Sequence, residues 1–143
     1  MKLVDANVLL YAVNEDAEHH DASRTWLDES LSGGDTVAFS WIALLAFVRL
    51  TTKTGVFPNP LTVDEAMDRV DAWIGAPAAV VVEPSTEHPR ILRALLGDLG
   101  VGGNLVNDAH LAALALAHRC PIVSWDNDFS RFSGVRWLTP SEA

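Results

Sequence analysis

The segment LVNDAHLAALALAHRCPIVSWDNDF, Leu105 to Phe129, constrains the fold more than any other. Leu105 to Cys120 is the clearest helix of the chain, and the apolar run PIVS follows it at once. A helix that leads straight into a short apolar strand is half of a strand–helix–strand unit, and the same alternation recurs upstream. Met1 to Val4 predicts a first strand, followed by a helix over NVLLYAV with Asn7 as its cap. Ala22 to Leu31 reads as a helix with Trp26, Leu27 and Leu31 on its apolar face, ended by Gly33-Gly34. TVAF, Thr36 to Phe39, is a second strand. Ser40 can then cap a helix from Trp41 to Lys53 that is apolar nearly all round and so expected to be buried. Thr62 and Glu65 form a capping box ahead of VDEAMDRVDAWI. AAVVVEP, Ala78 to Pro84, is a β-branched run of the kind buried on both faces of a sheet. A helix from Thr86 to Leu99 and a last strand, VRWL, complete the series. The pattern predicts one α/β domain over residues 1–143, a sandwich whose mostly parallel sheet of about five strands is flanked by helices.

Composition narrows the function classes. Apolar residues make up 49% and charged residues 20%, which excludes a disordered chain. The longest apolar runs, such as WIALLAFV, fall far short of the ~20 residues a membrane span needs. Asp5 and Asn7 interrupt the first apolar run and no small-residue cleavage site follows, so it is not read as a signal peptide; a cytoplasmic location is expected. Cys120 is the only cysteine, which rules out an internal disulfide and a CxxC metal site. The net charge of -9, from nineteen acids against ten Lys and Arg, favours a basic partner or a site that concentrates cations. It does not exclude nucleic acid, because the local field matters more than the total.

The acids are placed to do chemistry. Ligands of an open parallel sheet bind at the carboxyl ends of its strands. Asp5 closes the first predicted strand, Asp126 and Asp128 follow the fourth, and Asp108 opens the helix that feeds the fourth. Four carboxylates distant in sequence thus converge at one sheet edge. Without a cation they would repel one another; Mg²⁺ or Mn²⁺, which prefer oxygen ligands, removes that conflict and can activate water and stabilise phosphate charge.

With these residues in place, DANVLLYA, NDAHLAALALAHRCPIV and SWDNDF, in this order and at these separations, resemble the PIN domain, in particular VapC-type toxins. The resemblance covers nearly the whole chain, including SWIALLAFVRL. It implies a PIN-like three-layer sandwich and a divalent-metal-dependent endoribonuclease acting on RNA phosphodiester bonds. It also implies a homodimer neutralised by a cognate VapB-like antitoxin. Carried over by position, Asp5, Asp108 and Asp126 are the catalytic and metal-binding acids, and Asp128 is a neighbour with a weaker claim. One departure stands out: where the family's middle motif typically carries Glu, this chain has Ala46. A nearby acid, Glu15 or Asp16, is the candidate compensation.

Each assignment has a plainer competitor. Asp5 and Asp128 can cap a helix or turn, and Asp108 can simply favour a helix N-terminus. Asn7 can orient Asp5 as well as cap; Ser124 can bond a carboxylate or phosphate, or be a plain strand-end hydroxyl. His110, two residues from Asp108, should face another way, and His19, His20, His88 and His118 are expected at the surface. Trp26 and Trp73 fit the core, and packing is favoured over base stacking for Trp41 and Trp125. Arg49 and Lys53 form a small basic stripe suited equally to phosphate or to structural ion pairs. The alternative function is a catalytically degenerate PIN-like protein that acts by binding RNA or a protein partner. A phosphoacceptor receiver domain fits poorly, since the third strand ends in Glu83-Pro84 and no lysine follows Lys53.

Overall fold

A computed structural model describes all 143 residues. Five parallel strands, β1 (Lys2–Val4), β2 (Val37–Phe39), β3 (Ala79–Val81), β4 (Ile122–Val123) and β5 (Trp137–Leu138), lie in the order β3-β2-β1-β4-β5. The helices are α1 (Ala6–Val13), α2 (His20–Glu29), α3 (Trp41–Thr51), α4 (Val63–Ile74), α5 (His88–Leu99) and α6 (Val106–His118).

The sheet separates two apolar layers, as a parallel sheet built from crossovers must. Leu3, Ala38 and Ile122 meet Ala109, Ala112 and Phe129 on one side. Val4, Phe39 and Val123 meet Val8, Leu9, Leu44 and Phe47 on the other. Trp26 and Trp73 are buried in that second layer, Trp73 edge-on against Phe47 at 4.7 Å between ring centres. Each fully buried Leu or Phe contributes roughly 1.5–3 kcal/mol.

The strand starts are fastened by charge. Asp35, just ahead of β2, receives the N-terminal amine at 3.0 Å and Lys2 Nζ at 2.7 Å. The hydrogen bonds from Lys2 and the terminus hold the Asp35 carboxyl well below the usual carboxylate range.

Helix boundaries follow local chemistry. Thr62 and Glu65 make the expected capping box on α4, whose Asp64, Asp68 and Asp71 lie in solvent. Beyond α2 the chain kinks within Ser30–Gly34, where Gly33 breaks the helix at a φ of 109° that strains any side chain. Arg119 closes α6 in the left-handed conformation, so the turn into β4 takes only Arg119, Cys120 and Pro121.

Several expectations are corrected. Asp5, not Asn7, caps α1: its extended backbone lets Oδ1 accept from the Ala6 N–H, which leaves Asn7 inside the helix. Ser40 makes no side-chain cap and its buried hydroxyl has no partner. β3 is not sandwiched but lies at the sheet edge, with Val80 and Val81 each 39% exposed; β-branching suits edge and centre alike. α3 turns Trp41 and Leu45 to solvent, because no layer covers its outer face. His20 and His88 are buried, each held by a neighbouring helix: His20 Nδ1 lies 2.8 Å from the Tyr11 carbonyl and His88 Nε2 lies 2.9 Å from His110 Nδ1.

Candidate active site

Strand register builds the centre of the site. β1 pairs with β4 so that Leu3 lies beside Ile122 and Val4 beside Val123, and one step further sets Asp5 level with Ser124. The Ser124 hydroxyl donates to Asp5 Oδ2 at 2.7 Å. It accepts in turn from the Asp126 N–H at 2.9 Å and from Asn7 Nδ2 at 3.0 Å. Asn7 completes the clamp: Nδ2 also donates to Asp5 Oδ2 at 3.2 Å, and Oδ1 accepts the Trp125 N–H at 3.1 Å. The first turn of α1 is thereby tied to the chain leaving β4. Ser124 is fully buried and is a working partner of Asp5, not a plain strand-end hydroxyl.

The remaining acids come from two helix starts. Asp108 lies in the first turn of α6, where the helix dipole favours negative charge. Asp126 caps the short 3-10 helix Asn127–Arg131, its Oδ1 accepting the Asp128 N–H at 2.9 Å. One carboxylate oxygen each from Asp108, Asp126 and Asp128 lies within 4.8 Å of the other two. Asp5 stands behind this trio with its oxygens engaged by Ala6, Asn7 and Ser124, near enough that its charge acts on Asp108.

The electrostatics follow from that crowding. Burial, then the charges of Asp126, Asp5 and Asp128, push the Asp108 carboxyl up to about 6. Burial also raises Asp5, opposed by the Ser124 and Ala6 hydrogen bonds and abetted by Asp126. Arg131 Nη1, 3.7 Å from Asp128, is half-exposed and offsets little of the repulsion. A set of hard oxygen donors that destabilise one another fits an oxophilic divalent cation.

The structure sets Asp128 among the clustered acids and Ser124 in a hydrogen bond to Asp5, relations the sequence only hinted at. The signal was present: a serine two residues before Asp126, which is itself two before Asp128, is the spacing of two successive side-chain turns onto backbone N–H groups. Of the remaining candidates, Trp125 stacks on His19 at 3.7 Å and donates Nε1 to Ser23, so it is structural. His110 turns to His88 on α5. Glu15 lines a separate cleft with Arg24 and Arg69. Ala46 borders an open groove of about 710 Å³ with Ile42, Leu45, Val48, Arg49 and Asn107, the residue before Asp108.

A protein-family profile described as PIN domain matches residues 2–135. The chain is 59% identical to Ribonuclease VapC37 of Mycobacterium tuberculosis over 140 residues, covering 98% of this chain and 97% of that protein. Among solved structures it is similar to VapBC2 from Rickettsia felis bound to a DNA fragment from their promoter, with a TM-score of 0.71 at 20% identity over 96% of this chain and 97% of that one. A toxin–antitoxin complex from Klebsiella pneumoniae matches with a TM-score of 0.63 at 16% identity over 100% of both chains. These structural likenesses show the same α/β sandwich.

Proposed function

Since the chain belongs to the PIN domain family, we propose that it is the toxin of a type II toxin–antitoxin pair, an endoribonuclease that hydrolyses RNA phosphodiester bonds. The observation that carries this reading is the convergence of Asp108, Asp126 and Asp128 within 4.8 Å at the sheet edge, with Asp5 behind them. In our reading the 143 residues act as one PIN-like domain in the cytoplasm, as a homodimer, and a VapB-like antitoxin neutralises it. No helix is long and apolar enough to cross a membrane.

Asp108, Asp126 and Asp128 would hold a Mg²⁺ or Mn²⁺ ion, with Asp5 completing the acidic set. Such an ion would supply water activation and neutralise charge at the phosphate. Ser124 and Asn7 keep Asp5 in place by donating to its Oδ2, and the Ser124 bond opposes the upward push of burial on that carboxyl. Asp126, braced through its own N–H on Ser124, sets the direction of the turn that presents Asp128.

Ala46 favours a second reading, a binder with weakened catalysis, because it removes the acid the family usually places there. Cleavage of a mixed RNA pool by wild type and Asp126→Ala, with Mg²⁺, Mn²⁺ or EDTA, decides between the two. Cleavage by wild type alone, abolished by EDTA, supports the nuclease. Intact RNA under every condition, with the protein folded, moves the weight to the binder.

A further inference from the structure

The chain contains no acidic residue from Thr36 to Val63, although it carries nineteen acids in all. α3 lies inside this stretch, and its solvent side is a single line of residues four apart: Trp41, Leu45, Arg49 and, just past the helix end, Lys53. Trp41 is 43% exposed and Leu45 61% exposed. Arg49 and Lys53 are exposed, and no carboxylate lies within 4.0 Å of either; Arg69, Arg93, Arg119 and Arg136 are likewise outside the ion pairs made by Lys2, Arg24, Arg90 and Arg131. Neighbouring α4 carries acids on its solvent side, so the positive charge here is confined to Arg49 and Lys53.

The position of this line relates it to the acidic cluster. Trp41 begins α3 at the carboxyl end of β2, next to the strand that ends in Asp5. Behind the line, the groove bounded by Ile42, Leu45, Ala46, Val48 and Arg49 reaches Asn107, adjacent to Asp108. With alanine at position 46 the groove has an apolar wall and no negative charge to repel a phosphate.

We propose that this face of α3 is the track for single-stranded RNA flanking the bond to be cut, with Trp41 stacking a base and Arg49 and Lys53 pairing with successive phosphates. The inference rests on the ribonuclease reading above and adds the residues that position the substrate. Flat aromatic surface interleaved with cations is the chemistry that holds a single strand: every base has a face to stack, and every nucleotide a phosphate. A protein partner would be an alternative occupant, but two cations without a carboxylate to answer hydrogen-bond donors match phosphate better.

The test is steady-state cleavage of a mixed single-stranded RNA pool in Mg²⁺ by wild type, Trp41→Ala, Trp41→Phe, Arg49→Ala/Lys53→Ala and, as a control on α5, Arg93→Ala. Trp41→Ala should raise KM about tenfold with kcat kept within twofold, and Trp41→Phe should restore most of the loss. The Arg49/Lys53 double variant should raise KM and flatten the dependence of log kcat/KM on log salt by about 0.7 for each phosphate lost. Wild-type KM and salt slope in these variants, while wild type cleaves, overturn the proposal and leave the ribonuclease reading standing. The proposal is equally overturned if they keep wild-type RNA kinetics and instead lose the cognate antitoxin. If wild type cleaves nothing, the ribonuclease reading fails, and fluorescence anisotropy with labelled RNA decides the track: weaker binding by the variants sustains it, equal binding or none ends it.

Discussion

Replacing Asp108 by Asn should make the metal-free protein more stable while destroying its metal response. The folded-state carboxyl sits at about 6 against an ordinary value of about 3.9, so its ionised form is disfavoured by burial and by three neighbouring carboxylates. A shift of that size corresponds to about 3 kcal/mol for a fully shielded group. Asp108 is partly open to water, and solvent screening reduces this to about 1–1.5 kcal/mol. Losing a negative charge from the first turn of α6 gives back about 0.5 kcal/mol, which leaves a net gain of about 0.5–1 kcal/mol. In a domain of this size that raises Tm by about 2–3 °C. The sign with pH follows from linkage: the raised pKa means the folded state binds more protons than the unfolded chain between about 4 and 6. Wild type therefore carries the full penalty above pH 6 and sheds it as pH falls towards 4, so the Asn variant gains at pH 7.5 and loses its advantage at pH 4. Thermal unfolding at both pH values, in dilute solution because the net charge crosses zero between them, reads this directly. Saturating Mg²⁺ or Mn²⁺ at a hundred times its Kd should then add about 2.7 kcal/mol to wild type and far less to the variant. A lower Tm at pH 7.5, or the same gain at both pH values, refutes the repulsion argument.

Other perturbations separate the supporting residues. Ser124→Ala removes the donor to Asp5 inside the protein and should lower stability by about 1.5–3 kcal/mol, measured by urea unfolding, while driving the Asp5 carboxyl further up. The acid limb of its pH–rate profile should shift to higher pH accordingly. Asp35→Asn should lower stability by about 0.5–1 kcal/mol at pH 7, a modest figure because the ion pair is partly exposed. Since the Asp35 pKa is depressed in the folded state, that deficit should close as pH falls below about 4, and unfolding curves over pH 3–7 check it. Gly33→Ala, forced to a φ of 109°, should lower Tm by a few degrees, corresponding to about 1 kcal/mol, without affecting RNA cleavage.

Much of this was legible in the residues themselves. The alternation of short apolar runs with helices was enough to predict a parallel sheet, because only crossovers bring such strands side by side. The position of each acid relative to a strand end placed Asp5, Asp108, Asp126 and Asp128 at one edge. What was not legible depended on relations between distant segments. The order of the strands, and hence the edge position of β3, is a matter of topology that the β-branched run Ala78–Val82 does not encode. Ser124 gained its importance only through the β1–β4 register, which sets it level with Asp5. The outward turn of Trp41 and Leu45 depended on the absence of any layer over α3, which an apolar sequence cannot announce. His88 was hidden because its partner His110 lies on another helix.

The clamp formed by Asn7 has a consequence for control. It joins α1, Asp5 and the exit of β4 through partly buried hydrogen bonds, and the acids nearby stand on strand ends and helix starts rather than on a flap. On the proposed function, drawing Asp5 aside means breaking the clamp that joins α1 to the exit of β4. Silencing the site is then a problem of occupancy, not of shape. On that same function, an inhibitor would have to cover the acids or bring its own cation to them, and its removal would free the site again.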